Sequence, residues 1–487
     1  MLHELSLSTL LNLVLTLSWC GALLTVPSVL MQRAGRPAAA LSWLFALFAL
    51  PALAVTAWWL IGRTHLRRKS RRRLSASRRL NRALQVTRDA VLDDAGCGRA
   101  MQQARSCLAP ALPLDFQDSV FPATAGNRVR LLPDTQTIHQ VWFELIDSAE
   151  HHLHCLFYIW RDDHIGRALR DRLAQKAAQG VQVRVLVDAV GSFGLPKNFF
   201  QPLVEQGGQV AAFMPVRLLS AAPTINFRNH RKVLIADARH AYTGGVNVGD
   251  EYRQWQDIGI VIHGPGVSQL QEVFVDDWHF TTQQELSGSE YFRESEPHDH
   301  PAQWAADAIC ETIASGPHQA FNMTRDMVFL AVNQCRHRLW ITTPYFIPGA
   351  ALVMALRTAV YRGVDVRLYL PAQSDAPLVA RASRVFYQEL LAGGVKIYEA
   401  PVMLHAKALL LDDDAVIIGS ANLDVRSFKL NFEVSSFITQ PQLNQDLSRL
   451  MQSVQQDSRQ VTLEDLHKSS ILSRLLDAVA HLLSPLL

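Results

Sequence analysis

One pattern is written twice in this chain, and it constrains the fold more than any other feature. His230-Arg231-Lys232 opens an apolar run that closes on Asp237, and His405-Ala406-Lys407 opens one that closes on Asp412. Both read H-x-K-x-x-x-x-D. At the same distance from each His comes a glycine, Gly244 or Gly419, and three residues later an asparagine, Asn247 or Asn422. A lone H-x-K reads as ordinary polar residues at a strand end. Two copies with matching flanks read as two halves of one active site.

The surroundings repeat as well. Gly180-Val-Gln-Val-Arg184 matches Gly363-Val-Asp-Val-Arg367, each after an Ala-rich helical stretch and before an apolar strand. Phe157-Tyr158-Ile159-Trp160 and Thr343-Pro344-Tyr345-Phe346 hold corresponding places upstream. Gln206-Gly207-Gly208-Gln209-Val210 and Ala392-Gly393-Gly394-Val395-Lys396 each join a helix to a strand ahead of the H-x-K. The repeat is about 180 residues long, beyond a solenoid unit and near the size of a domain. Within the first copy, 137–149 and 165–179 have helical composition, while 153–160 and 181–188 are strand-like. Such alternation predicts a layered α/β fold.

On a strand, residues i and i+2 share a face, so His and Lys of each copy project together. The Asp is seven residues after the His, an odd spacing, and falls where turn formers begin. Asp237 and Asp412 therefore read first as structural: turn formers or hydrogen-bond acceptors behind the site. The small residues Gly244-Gly245 and Gly419-Ser420 let backbone N–H groups approach an anion, and Asn247 and Asn422 add donors. Two Lys, two Asn and two His suit a phosphodiester, whose phosphoryl oxygens gain charge during transfer. A neutral imidazole attacks phosphorus and a protonated one gives its proton to the leaving alcohol. The lysines supply the positive charge, so the chemistry requires no metal and no cofactor. Each imidazole also needs a carboxylate to fix its tautomer. Asp257, 27 residues after His230, and Glu433, 28 after His405, are the candidates. The His151–His154 cluster is given no role, and His298-Asp299-His300 reads as an exposed loop rather than a metal site.

No charged residue occurs from Leu5 to Gln32, or from Pro37 to Gly62. Each run exceeds the roughly 20 apolar residues that cross a bilayer core. A cleaved signal peptide fits poorly, since the N-terminus carries Glu4 and no Lys or Arg. The runs predict a two-helix transmembrane hairpin, with Trp43, Trp58 and Trp59 as interfacial anchors and Pro51 as a kink. A basic run with no acid follows, from Arg63 to Arg82, while the connecting loop holds only Arg33 and Arg36. The positive-inside rule then places the loop outside and the catalytic part in the cytoplasm. The same collar attracts anionic lipid. Taking these ten cations from the net charge of +3 leaves about −7 on the rest, which disfavours nucleic acid as the partner. The six cysteines are scattered, as in a reducing compartment.

These residues resemble the phospholipase D superfamily and, more narrowly, the bacterial cardiolipin synthases of the phospholipase D type. The likeness rests on both H-x-K-x-x-x-x-D copies and their Gly and Asn, and on Asp188, Gly191-Ser192, Asn422–Ser427, Asn431-Phe432-Glu433 and the terminal Ser484–Leu487. It counts Asp237 and Asp412 with His230, Lys232, His405 and Lys407 in the catalytic motif. Gly245 stands where Ser is common, which removes one hydroxyl donor, and the Asp412-Asp413-Asp414 turn lacks a frequent Gly. The resemblance implies transfer of a phosphatidyl group from one phosphatidylglycerol to another through a phosphohistidine, giving cardiolipin and glycerol. By analogy His230 is the nucleophile and His405 the general acid. A hydrolase, or a transferase using a donor such as phosphatidylethanolamine, would carry the same residues. The expected architecture is two similar α/β halves, each a mixed sheet flanked by helices, with the active site at their interface. The expected divisions are a hairpin (1–62), a basic juxtamembrane and linker segment (63–122), a first half (123–290) and a second half (291–487).

Overall fold

The computed structural model describes residues 7–34, 37–62, 121, 123–215, 227–292, 304–319 and 321–483. The basic juxtamembrane and linker segment (63–122) apart from Phe121, the His298–His300 loop and the terminal Ser484–Leu487 lie outside the described residues. By contacts the chain divides into residues 1–72 with 216–226, and the remainder.

In the N-terminal unit, α1 (Leu7–Gln32) is long and apolar enough to cross a bilayer by length and composition. The second apolar run does not form the matching helix. It gives α2 (Pro37–Ala49) and α3 (Pro51–Ala57), followed by one π-helical turn at Trp58–Gly62. Pro51 has no N–H to continue α2 and instead starts α3 at its first turn. The chain reverses there rather than kinking. Trp19 of α1 meets Phe48 of α2 (5.5 Å between rings), so α2 runs back along α1. Then Trp59 Nε1 donates to Thr25 Oγ1 (3.2 Å), Trp58 Nε1 to Ser28 Oγ (3.2 Å) and Arg33 to the Gly62 carbonyl (2.9 Å). With Val55 against Gly21, Trp58 at Ser28 and Gly62 at Arg33, the segment runs in the same direction as α1, so α3 climbs back toward the Arg33 turn. Trp43 and Trp58 are packed on each other at 5.1 Å rather than marking opposite ends of a span. The run is re-entrant, and its exit lies beside the connecting loop, not across from it.

The larger unit begins with β1 (Thr124–Leu132), α4 (Thr135–Ser148), β2 (His152–Phe157), α5 (His164–Ala178), β3 (Gln182–Asp188), α6 (Gln201–Glu205) and β4 (Gln209–Phe213). It continues with β5 (Arg228–Asn229), β6 (Val233–Ala236), β7 (His240–Gly244), β8 (Gly259–His263) and α7 (Gly266–Thr282). The second copy has β9 (Ala305–Ser315), α8 (Met323–Gln334), β10 (Arg338–Thr342), α9 (Ala350–Tyr361), β11 (Asp365–Pro371), α10 (Pro377–Ala392) and β12 (Lys396–Ala400). Then come β13 (Ala408–Leu411), β14 (Ala415–Gly419), α11 (Val425–Lys429), β15 (Asn431–Thr439), α12 (Pro441–Asp457), β16 (Arg459–Val461), α13 (Leu463–Lys468) and α14 (Ile471–Leu482).

Local chemistry sets many of these bounds. The Asp134 carboxylate caps α4 by accepting from Thr137 N (2.7 Å), and Asn322 caps α8 through Arg325 N (2.8 Å). Gly180 and Gly363 take the same left-handed turn (φ 92° and 89°) between helix and strand, which explains the repeated glycine.

The strands run in the order β16-β12-β11-β10-β13-β14-β15-β9-β1-β8-β7-β6-β2-β3-β4, with β5 paired off this path to β15. The two copies mirror each other about the β9–β1 pair. β2, β3 and β4 are parallel, as are β10, β11 and β12, and the inner strands are antiparallel. The halves are thus not two domains that merely touch: one sheet passes through both. Each half keeps its own apolar cluster, around Trp142 and Leu169 in the first and around Leu356 and Leu368 in the second.

Candidate active site

Each H-x-K precedes its strand rather than lying on it, and each is strapped to the opposite half. β5 pairs in parallel with β15, and the His230 N–H donates to the Phe432 carbonyl (2.9 Å). Reciprocally, the His405 N–H donates to the Gln256 carbonyl (2.8 Å) and the Gln256 N–H to the Met403 carbonyl (2.9 Å). The residue after each strap carbonyl is a carboxylate: Glu433 after Phe432, Asp257 after Gln256. The straps therefore carry each carboxylate to the other half's histidine. His230 Nδ1 lies 3.1 Å from Glu433 Oε2, and His405 Nδ1 lies 2.5 Å from Asp257 Oδ2.

Around His230 Nδ1 stand two acceptors, Glu433 and the Ser420 carbonyl (3.2 Å), which assign the ring proton to that nitrogen. Nε2 is left with its lone pair. Glu433 is fully buried and is held by the Ser420 hydroxyl (2.5 Å) and Asn431 Nδ2 (3.0 Å). Asp257 accepts from the Ile258 N–H (2.8 Å) and receives no such hydroxyl. Its space explains why: a Cβ on Gly245, the counterpart of Ser420, would stand 2.3 Å from Asp257 Oδ1.

Lys232 and Lys407 are buried and reach back over their histidines. Lys232 Nζ donates to the His230 carbonyl (2.6 Å) and lies 5.3 Å from the Tyr158 ring centre. Lys407 Nζ donates to the His405 carbonyl, stands 2.9 and 3.0 Å from the two ring nitrogens of His405, and is 4.0 Å from Asp257. Aromatic walls flank both imidazoles, Tyr158 at 4.9 Å from His230 and Trp255 at 5.0 Å from His405.

The other expected residues are placed as follows. Asn247 and Asn422 sit on the loops after β7 and β14. Asn247 Oδ1 accepts from the Ile159 N–H (3.2 Å), and Asn422 Oδ1 is buried with no hydrogen-bond partner among the described residues. Asp188 fixes the approach to His230, accepting from the Asn229 N–H at 2.8 Å and from Val190 and Gly191. Asp237 and Asp412 do not join the imidazoles. Each follows the far end of its strand in a left-handed turn (φ 56° and 47°). Asp237 accepts three backbone N–H groups at 2.8 Å, from Glu150, His151 and His152. Asp412 does the same for Arg336, His337 and Arg338 at 2.7–3.2 Å. Each pins the start of the adjacent strand, β2 for Asp237 and β10 for Asp412.

The chain matches the family model described as "Cardiolipin synthase, PLD-like domain" at residues 142–278 and 329–455. It is 32 % identical over 461 residues to a cardiolipin synthase of Geobacillus sp. (strain WCH70), covering 93 % of this chain and 89 % of the relative. The chain belongs to the cardiolipin synthase family with phospholipase D-like domains. Cardiolipin synthase A of Pseudomonas putida (strain GB-1) is 38 % identical over 379 residues, 76 % of this chain and 77 % of that one. Among solved structures, the phosphatidylserine synthase of Haemophilus influenzae Rd KW20 superposes with a TM-score of 0.56 over 74 % of this chain and 95 % of its own. At 15 % identity that likeness bears on the fold alone.

Within this phospholipase D-like frame, electrostatics poise the two imidazoles alike. Burial lowers His230 to about 4, with Lys232 and Lys407 adding to the effect against the pull of Glu433. Burial and the Lys407 ammonium lower His405 to about 4. Burial also takes Lys407 down to about 8 and Lys232 well below its ordinary range. On Glu433 burial acts upward, but His230, Lys232 and the Ser420 hydroxyl outweigh it and keep the carboxyl below its usual value. A neutral imidazole hydrogen-bonded to an ionised carboxylate is the outcome on the His230 side.

Sequence reasoning missed Arg231, the variable residue of the first H-x-K. Its guanidinium is buried against Asp277 of α7 (2.7 Å) and also donates to the Ser315 and Glu433 carbonyls (both 3.1 Å). Asp277 in turn accepts from Asn229 Nδ2 (2.7 Å). This clasp ties α7, β9 and β15 to the His230 segment. The second copy has Ala406 in that place, so comparing the repeats gave no hint of it.

Proposed function

We propose that this protein is a phosphatidyltransferase that joins two phosphatidylglycerols into cardiolipin and glycerol. The observation that carries the mechanism is the pair of buried imidazoles from opposite halves, each oriented by the other half's carboxylate. His230 Nε2 attacks the phosphorus of the first lipid. The P–O bond to the terminal glycerol breaks as His405 gives that oxygen a proton, and a phosphatidyl-histidine remains. The terminal hydroxyl of a second phosphatidylglycerol then loses its proton to His405 and attacks the same phosphorus. Cardiolipin leaves and His230 is regenerated. Lys232 and Lys407, with Asn247 and Asn422, offset charge on the non-bridging oxygens. The arriving phosphodiester anion also neutralises the lysine charges beside His405, which raises its proton affinity.

The protein is anchored in a bacterial inner membrane by α1, with the catalytic part on the cytoplasmic side. The parallel return of α3 favours a single crossing with a re-entrant segment over two crossings. Arg33, beside the Gly62 end of α3, then lies on the cytoplasmic face, where the positive-inside rule puts cations.

The test is a product assay on the purified full chain with phosphatidylglycerol labelled in its terminal glycerol. The expected result is cardiolipin and free glycerol in equal amounts, lost in His230→Ala and His405→Ala, with label from an acyl-tagged donor trapped on His230. Phosphatidic acid as the sole lipid product, or cardiolipin formation unaffected by both substitutions, overturns the reading.

A further inference from the structure

The C-terminal helix α14 is turned the wrong way for a soluble protein. Its apolar residues Ile471, Leu472, Leu475, Leu476, Val479 and Leu482 recur at helical spacing on one face, and all are exposed, between 44 % and 78 %. Its opposite face is what packs against the body. Asp477 is buried and ion-paired to Arg381 of α10 (2.9 Å), Ala480 is buried against Ile347 and Ala382, and the His481 ring meets Phe386 edge-on at 5.1 Å. An amphipathic helix normally buries the stripe that this one presents outward. The exposed stripe is on the order of several hundred Å², at or above the largest apolar patch of an ordinary monomer (~300–600 Å²).

Three further observations say what covers it. The seat of α14 adjoins the site: Ile347 is two residues from Tyr345, whose ring lies 6.4 Å from His405. The exposed Arg474 of α14 lies beside the stripe and has no ion-pair partner among the described residues, while Arg381 and Arg384 of α10 are paired to Asp477 and Glu399. Arg474 also lines a polar cleft of about 380 Å³ between α10, β16, α13 and α14, where Glu399, Asp465 and Asp477 accompany Arg384 and Arg459. An apolar face with an unpaired arginine at its margin matches an anionic bilayer, with acyl chains under the leucines and a head group at Arg474.

We infer that α14 lies in the plane of an anionic phospholipid bilayer with its leucine face inserted, and holds the His405 side of the site at the lipid surface. This is a membrane contact made by the catalytic unit itself, separate from α1. The inference rests on the phosphatidyltransferase reading for its substrate, but the helix position is measurable without turnover.

The experiment uses the full chain in proteoliposomes containing phosphatidylglycerol, with Cys20, Cys97 and Cys107 replaced by serine; the other three cysteines are buried. Spin labels are placed through Leu475→Cys, Val479→Cys and, as a water-exposed control, Glu464→Cys. The expected result is high oxygen and low nickel-chelate collision at positions 475 and 479, and the reverse at 464. Water-like collision at all three overturns the inference. So does strong dipolar broadening between labels at 475, which shows a second copy covering the face. In parallel, the triple change Leu472→Asp, Leu475→Asp, Val479→Asp lowers turnover on vesicles at least tenfold and leaves it within threefold of wild type in detergent mixed micelles. Unchanged turnover on vesicles overturns the inference, and loss in micelles too makes the collision data decisive. If wild type gives no cardiolipin, the proposed activity fails while the collision data still decide the helix.

Discussion

Asp257 Oδ2 stands 2.5 Å from Nδ1 of His405, although the two residues belong to different halves of the duplicated fold. Glu433 reaches back to His230 in the mirror-image arrangement (3.1 Å). Neither half holds a complete histidine–carboxylate pair of its own. In Asp257→Asn or Glu433→Gln the amide still fills the space but no longer enforces the tautomer or offsets imidazolium charge. Turnover is expected to fall by about 10²–10⁴-fold, with KM nearly unchanged. Steady-state kinetics on mixed micelles check this; a fall in stability alone, with normal kcat in the folded protein, contradicts it.

The two carboxylates are not equivalent, and Gly245 marks the difference. Gly245→Ala adds a methyl where Asp257 Oδ1 lies 2.3 Å away, so the carboxylate must leave its place under His405. Ser420→Ala keeps the volume and removes one hydrogen bond to Glu433. The first change is expected to cost more than tenfold in kcat, and the second about tenfold or less. Equal activity of Gly245→Ala and wild type would show that Asp257 has room to yield.

Asp237 and Asp412 should behave as structural residues. Each carboxylate accepts three backbone N–H groups at the start of a neighbouring strand. Asp237→Asn or Asp412→Asn is expected to lower stability by about 1–3 kcal/mol. Specific activity of the folded fraction stays within about threefold of wild type. Thermal melting beside activity per folded molecule separates this from a catalytic role, in which kcat falls while the melting temperature holds.

The acid side of the stability profile carries the mark of histidines buried neutral. His139 is lowered to about 4 by burial and by Arg253, and its Nε2 is buried without a hydrogen-bond partner. Its folded value is depressed, so between pH 6.5 and about 4 the unfolded chain binds more protons, and stability falls as pH falls through that window. His230 and His405 act in the same direction, while Glu311, raised to about 7 by burial, acts in the opposite one. His139→Gln removes one such group away from the site. Wild type is therefore expected to lose on the order of 3 kcal/mol relative to His139→Gln on going from pH 6.5 to 4, read by denaturant melts at each pH. A pH-independent difference contradicts it.

Most of the local structure was legible in the amino-acid order. The expected helix over 165–179 is found at His164–Ala178, and the strand over 181–188 at Gln182–Asp188, because apolar periodicity and turn glycines act over a few residues. The odd spacing from His to Asp matches the position of Asp237 and Asp412 in turns at the far ends of their strands. The second apolar run was misread because length and hydropathy do not say whether a proline bends a helix or ends it. Only the contacts of Trp43, Trp58 and Trp59 decide that.

By itself, then, the sequence determined the duplication, the His and Lys of each copy, the phosphodiester chemistry they suit and the two carboxylates beside them. The tertiary structure decided which carboxylate serves which imidazole. Spacings of 27 and 28 residues satisfy a pairing within each half as well as a pairing across halves. The choice is made by β5 on β15 and by Gln256 on Met403, main-chain pairings between distant segments that leave no trace in side-chain pattern. The same holds for the sheet continuing through β1 and β9, for Arg231 on Asp277, and for the outward leucines of α14. Each depends on which surface meets which, a property of long-range packing rather than of local order.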